Sequence, residues 1–214
     1  MILGHFLSEA TVARHMIKRR GRPTQNWKTF LRNHLHETVA IDFLTVPTVT
    51  FRTLYVFVVM TLDRRRIVHI NVTDQPTAEW TTLQLYQAFP YDTAPRFLVR
   101  DRDGIYGGAV VRALELMGIQ EKVITARSPW QNGYCERIVG TLKRECPNHV
   151  IVFNEQHARQ ILRRYLEYYH GSRTHLGLGK DTPDGRVVEP PQLGPVQRRA
   201  MVGGLHSRYF RTAA

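Results

Sequence analysis

The sequence predicts an α/β fold: a mixed five-stranded sheet with helices on both faces, in the order β-β-β-α-β-α-β-α-α. Three observations lead there. Three short apolar runs lie close together between residues 38 and 72, joined by polar turns. Two alternations of helical pattern and short apolar segment follow. The chain then carries two further helical patterns with no strand between them. Hairpin-linked strands form an antiparallel meander, and strands joined through helices add in parallel.

The elements follow in order. Ser8-Glu-Ala-Thr-Val-Ala-Arg-His-Met reads as the start of a short basic helix over 8–20, broken by Gly21-Arg-Pro23, with a linker running to about residue 36. Thr38–Val46, Leu54–Leu62 and Ile67–Val72 are the three strands, with Asp63-Arg-Arg-Arg66 as the second turn. Pro76–Phe89 reads as a helix capped by Asp74, Arg96–Arg100 as a fourth strand, and Gly108–Met117 as a helix stopped by Gly118. Lys122–Thr125 is a fifth, short strand. Ser128-Pro129-Trp130-Gln131 has the form of a capping box with proline at the first helical position, and opens a helix expected to run to Cys146. In Glu155–His170, Ala158, Ile161, Leu162, Tyr165, Leu166 and Tyr169 recur on one helical face. Beyond about residue 185 the chain is rich in Pro, Gly and Arg, and weak order is expected.

Composition narrows the class of partner. The 214 residues are 43% hydrophobic, enough for a packed core, and carry a net charge of +12. The charge is uneven. Residues 1–32 hold seven basic residues against one acid, residues 186–214 five against one, and the body between them is nearly balanced. Basic arms on a neutral body point to a polyanion, with nucleic acid first. The longest apolar run, Leu54–Leu62, suits a buried strand and is far too short to span a membrane. No secretory leader is legible, and the two cysteines, Cys135 and Cys146, fall in one expected helix and make no disulfide framework, which fits a reducing compartment.

Three carboxylates stand where chemistry is expected. Asp42 interrupts the apolar first strand, where an uncompensated charge is costly. Asp101 follows the fourth strand directly, at the strand end where open α/β sheets place ligands, although Arg-Asp-Arg-Asp-Gly is also a good turn sequence. Glu136 lies in the capped helix, where an isolated acid could equally be a solvated charge. Together they suggest a cluster for Mg²⁺ or Mn²⁺, two ions per site, since hard cations take oxygen ligands and a two-metal site clamps an in-line phosphoryl displacement. At 100° per residue Asn132, Glu136 and Lys143 share a helix face, with Lys143 suited to a DNA phosphate and Asn132 to sugar or phosphate. Arg137 and the arm residues Arg19, Arg20 and Arg22 complete the expected DNA contacts.

Ala40-Ile-Asp-Phe-Leu-Thr-Val46, Leu98-Val-Arg-Asp-Arg-Asp-Gly-Ile-Tyr106 and Ser128-Pro-Trp-Gln-Asn-Gly-Tyr-Cys-Glu-Arg-Ile-Val-Gly-Thr-Leu-Lys-Arg-Glu145 resemble the three blocks of the retroviral-integrase and insertion-sequence transposase superfamily, the DDE-type integrase catalytic core. Tyr168-Tyr-His-Gly-Ser-Arg-Thr-His-Leu-Gly-Leu178 and Thr182-Pro183 are similar to the closing segment of its bacterial insertion-sequence branch. The resemblance covers roughly residues 37–185 and implies a ribonuclease-H-like fold, Asp42, Asp101 and Glu136 as catalytic metal ligands, and cleavage and joining of DNA. The second block departs from the usual Asp-x-Gly, so Asp103 competes with Asp101. Asp101 is preferred because it abuts the strand and keeps the spacing to Glu136 and Tyr106.

The expected organisation is a basic arm at 1–36 left from a helix-turn-helix unit, a catalytic core at 37–185 and a basic tail at 186–214, so that the chain resembles an N-terminally truncated transposase. A homo-oligomer acting on transposon ends and target DNA in the bacterial cytoplasm, at the nucleoid, is the expected setting, with no zinc site. A hydrolysis-only nuclease of the same fold and an inactive DNA-binding relic are the alternatives.

Overall fold

In the computed structural model, which describes residues 26–212, five strands form one mixed sheet: β1 (Thr38–Pro47), β2 (Thr53–Thr61), β3 (Ile67–Thr73), β4 (Phe97–Arg100) and β5 (Gln120–Val123). Their spatial order is β3-β2-β1-β4-β5, with β1–β2 and β2–β3 antiparallel and β1–β4 and β4–β5 parallel. This is the expected meander extended by two parallel strands. The basic helix expected over 8–20, with Arg19, Arg20 and Arg22, lies outside the described residues.

Side-chain alternation along β1 divides the interior into two cores. Val39 and Ile41 join Phe57, Val59 and Leu98 under helices α2 (Ala78–Ala88) and α3 (Gly108–Leu116). Ala40, Leu44 and Val46 join Val56, Val58 and Val99 under helices α4 (Gly133–Glu145) and α5 (Glu155–Gly171). Asp42 therefore belongs, by parity, to the face that α4 covers, where a hydrophobic residue would otherwise sit.

Several local expectations are corrected. Residues expected as linker form a further helix, α1 (Trp27–His34), capped by Asn26, whose Oδ1 accepts from Thr29 N–H at 2.8 Å. Eight residues are too few for a stable isolated helix. Packing holds this one: Phe30 is buried and meets Phe97 edge-on at 5.0 Å. The cap of α2 is Thr77 rather than Asp74, whose carboxylate is taken by Arg52. The fifth strand begins two residues earlier than expected.

The capping box at Ser128 is not formed. Residues Pro129–Asn132 make a 3₁₀ turn ahead of α4, and Gln131 turns away so that its Oε1 accepts from Thr125 N–H at 2.6 Å. The tail is also ordered. β6 (Val196–Met201) and β7 (His206–Arg211) pair as an antiparallel hairpin through Gly203 and Gly204, both at positive φ. The hairpin docks by a His206–Tyr168 ring stack at 4.3 Å and by Val202 against the α4/α5 core.

Candidate active site

Two strands and one helix aim the three expected carboxylates at one region. Asp42 projects from the middle of β1 toward α4. Asp101 leaves the end of β4 two residues after Val99, which packs in the same core, so alternation sends both aspartates to one side of the sheet. Glu136 lies in the first turn of α4, beside Cys135, which is fully buried on the sheet.

The electrostatics of Asp42 record this convergence. Its carboxyl is pushed up to about 7, first by burial and then by the carboxylates of Asp101, Glu136 and Asp103 in that order, against the lowering effect of the Phe43 N–H that it accepts at 2.8 Å. The same acids, with Asp42, push up the buried Tyr106 hydroxyl and the Cys135 thiol, for both of which burial is the main cause. Tyr106 packs against Phe43, with centroids 6.0 Å apart, and closes the site on the α2/α3 side. The high thiol pKa leaves Cys135 a packing residue with no nucleophilic character.

Among the described residues, no Lys, Arg or His forms an ion pair with Asp42, Asp101, Asp103 or Glu136. The nearest arginine in sequence, Arg100, is buried and commits Nε and a terminal nitrogen to Glu121 at 2.9 and 2.7 Å. A half-buried carboxyl facing like charges, with hard oxygen donors around it, fits a divalent cation. Among the described residues no three His, Cys, Asp or Glu side chains already stand in ligating geometry, so ligation has to draw them together.

Asp101 and Asp103 differ in position. Asp101 is half-buried, its Oδ1 accepts Asp103 N–H at 3.0 Å, and it acts on Asp42 more strongly. Asp103 is exposed and accepts Ile105 N–H at 3.0 Å, within the turn.

The expected DNA contacts divide. Lys143, Arg137 and Glu136 are exposed on α4. Asn132 is only 3% exposed: its Nδ2 points to the Ile41 carbonyl at 3.4 Å, and its Oδ1 is buried with no partner. The shared face with Glu136 and Lys143 is thereby corrected, because Asn132 ends a 3₁₀ turn and a count at helical pitch does not apply across it. Its amide ties the start of α4 to the β1 backbone one residue before Asp42. Tyr106 as a wall of the site is the residue that sequence reasoning undervalued; its signal was an aromatic placed five residues after Asp101.

Residues 117–183 match the family model described as an integrase core domain. That stretch is similar to an integrase core. The match contains Glu136, Lys143 and the closing segment. The fold agrees. A chain of the simian T-cell lymphotropic virus intasome, solved with PP2A regulatory subunit B56 gamma, is 14% identical with a TM-score of 0.58, over 81% of this chain and 66% of that one. The HTLV-2 integrase catalytic core domain, solved in complex with magnesium, is 14% identical with a TM-score of 0.53, over 69% of this chain and 93% of that one. The chain thus spans just under two thirds of the first and most of the second. No curated protein sequence matches it. No helix among the described residues is long and apolar enough to cross a membrane.

Proposed function

We propose that the chain is a metal-dependent DNA strand-transferase of the bacterial insertion-sequence branch, cutting phosphodiesters at transposon ends and joining the freed 3′-hydroxyl to target DNA. One observation carries this reading: in a chain similar to integrase cores, the half-buried Asp42 carboxyl feels Asp101 and Glu136, with no cation partner among the described residues. Asp42, Asp101 and Glu136 would hold Mg²⁺ or Mn²⁺, two ions per site; magnesium is the ion in the HTLV-2 core. Bound metal would activate the attacking oxygen and stabilise the leaving one.

The protein's own groups do the positioning. Phe43 N–H and the strand backbone fix Asp42. Tyr106 and Phe43 exclude water behind it. Asn132 holds α4 against β1, which sets how far Glu136 stands from Asp42. Lys143 and Arg137 on the exposed face of α4, with Arg19, Arg20 and Arg22 of the arm, bind phosphates. Two ends join one target, so the active species is a homo-oligomer; the HTLV-2 core was solved in trimeric and dimeric forms. The setting is the bacterial cytoplasm, at the nucleoid. The catalytic unit is residues 37–185, with arms at 1–36 and 186–214 that add DNA affinity.

The test is joining of a pre-cleaved 3′ end to a second duplex in Mg²⁺. Wild-type protein joins, and Asp42→Asn does not. Cleavage without joining would mean a nuclease, and neither activity would mean a DNA-binding relic; either result overturns the proposal.

A further inference from the structure

The tail hairpin carries a charge arrangement that the fold neutralises only in part: Glu189 feels Arg208 but pairs with Arg186. No acid occurs in residues 190–214, which hold Arg198, Arg199, Arg208 and Arg211. In the β6–β7 register Arg199 stands directly opposite Arg208. Like charges directly opposite on a two-stranded ribbon oppose its pairing. Neither forms an ion pair among the described residues. Elsewhere in the same region arginines are answered by acids: Arg173 by Glu145 and Arg186 by Glu189.

The two guanidinium groups are also placed. Alternation puts Arg199, Arg208, Phe210, Met201 and His206 on one face of the ribbon. Arg199 lies over the Phe210 ring at 5.1 Å, which orients it without spending its charge. At the docked end of this face, His206 Nε2 meets the Glu145 carbonyl at 2.7 Å, in the last turn of α4. Arg208 is the next residue along that face. The paired arginines thus border the C-terminal end of the helix that bears Glu136, nine residues upstream. That separation is about 13 Å of helix rise, or about four base pairs of duplex at 3.4 Å each. Lys143, exposed on α4, lies between.

We propose that Arg199 and Arg208 form a phosphate clamp that grips the backbone of duplex DNA about four base pairs from the scissile bond. A phosphate seated between them removes the like-charge opposition, and two forked donors suit its oxygens. This deepens the strand-transferase reading by naming where the duplex leaves the site. It assigns DNA binding to a folded pair in the tail, where charge alone would spread contacts over all basic residues.

The experiment measures affinity of the full chain for a non-specific duplex in EDTA, between 50 and 200 mM salt. Each lost phosphate contact lowers the slope of log K against log salt by about 0.9. Arg199→Ala/Arg208→Ala is therefore expected to lower it by about 1.8, with the melting temperature unchanged or raised. Arg198→Ala, on the opposite face, is expected to leave the slope within error. Arg199→Gln/Arg208→Gln, which keeps the side-chain length, repeats the measurement should the alanine pair melt early. An unchanged slope in a folded double variant overturns the clamp, as does an equal loss from Arg198→Ala. Because metal and cleavage play no part, failure of strand joining leaves this result standing, and loss of the clamp leaves joining to be judged separately.

Discussion

Two groups of carboxylates in this chain meet opposite fates. Around the closing segment and tail, Glu145, Asp181, Asp184 and Glu189 each face an arginine: Arg173, Arg64, Arg66 and Arg186. At the junction of β1, β4 and α4, Asp101, Glu136 and Asp103 all act on Asp42, and among the described residues none of the four forms an ion pair with an arginine. The chain is rich in arginine, and around the closing segment it answers each of these four acids. What sets the second group apart is that Asp42 is half-buried and feels the other three acids. A structural acid is held charged by the protein; Asp42 is instead held near 7 by burial and like charge.

The contrast can be broken first at the unanswered group. Asp42→Asn or Glu136→Gln is expected to lower metal-dependent joining by roughly 10³-fold, since ligated metal is worth several kcal/mol to phosphoryl transfer. Single-turnover rates with DNA and Mg²⁺ check it. Asp101→Asn should match that loss, and Asp103→Asn should fall well short of it; equal losses with folding intact would erase the distinction between strand end and turn.

At the answered group the large effect is on stability. Glu145 accepts Arg173 at 2.7 and 2.6 Å and the Tyr165 hydroxyl at 2.8 Å. Glu145→Ala strands a half-buried guanidinium and is expected to cost about 2–3 kcal/mol by urea denaturation. Joining measured well below the melting temperature should change far less than in Asp42→Asn.

The two groups also predict opposite responses to pH in metal-free protein. Asp42 keeps its proton in the fold up to about 7, whereas the unfolded chain loses it near 4. The folded state binds more protons in that window, so this contribution to stability falls as pH rises from about 4 to 7. Asp42→Asn removes the loss and should stabilise the metal-free protein at pH 7.5 relative to wild type. Burial pushes Glu145 up, but the Arg173 and Tyr165 hydrogen bonds outweigh it and hold its carboxyl below the usual range. Its contribution is present above the unfolded carboxylate range and is lost as pH falls through its lowered pKa. Stability curves of wild type, Asp42→Asn and Glu145→Gln against pH separate the two. The smallest effect is Lys143→Ala, expected to lower the salt slope of DNA binding by about 0.9 and leave the pH curves alone.

The sheet order and the side of β1 on which Asp42 lies were legible in the sequence because both rested on a regular period. Alternation in β1 and an acid set inside it leave few places for that acid to point. What was missed rested on irregular backbone or on packing. Asn132 was assigned to a helix face by counting through what is a 3₁₀ turn. The α1 helix has Trp27, Phe30 and Leu31 at helical spacing, but eight residues among polar neighbours gain their order from Phe97, which is distant in sequence. The tail hairpin did carry a Gly-Gly turn signal between Gln-Arg-Arg-Ala-Met and His-Ser-Arg-Tyr-Phe-Arg. Its strands have too little apolar surface to announce themselves, and the Tyr168 ring that stacks on His206 lies in another element.

The central claim is that the unanswered carboxylates are a divalent-cation site. Its most direct measurement is Mn²⁺ binding to the full chain without DNA, followed by electron paramagnetic resonance of the free ion. Wild-type and Glu145→Gln proteins should deplete the free-ion signal saturably, and Asp42→Asn should not. Equal depletion by wild type and Asp42→Asn would contradict the account.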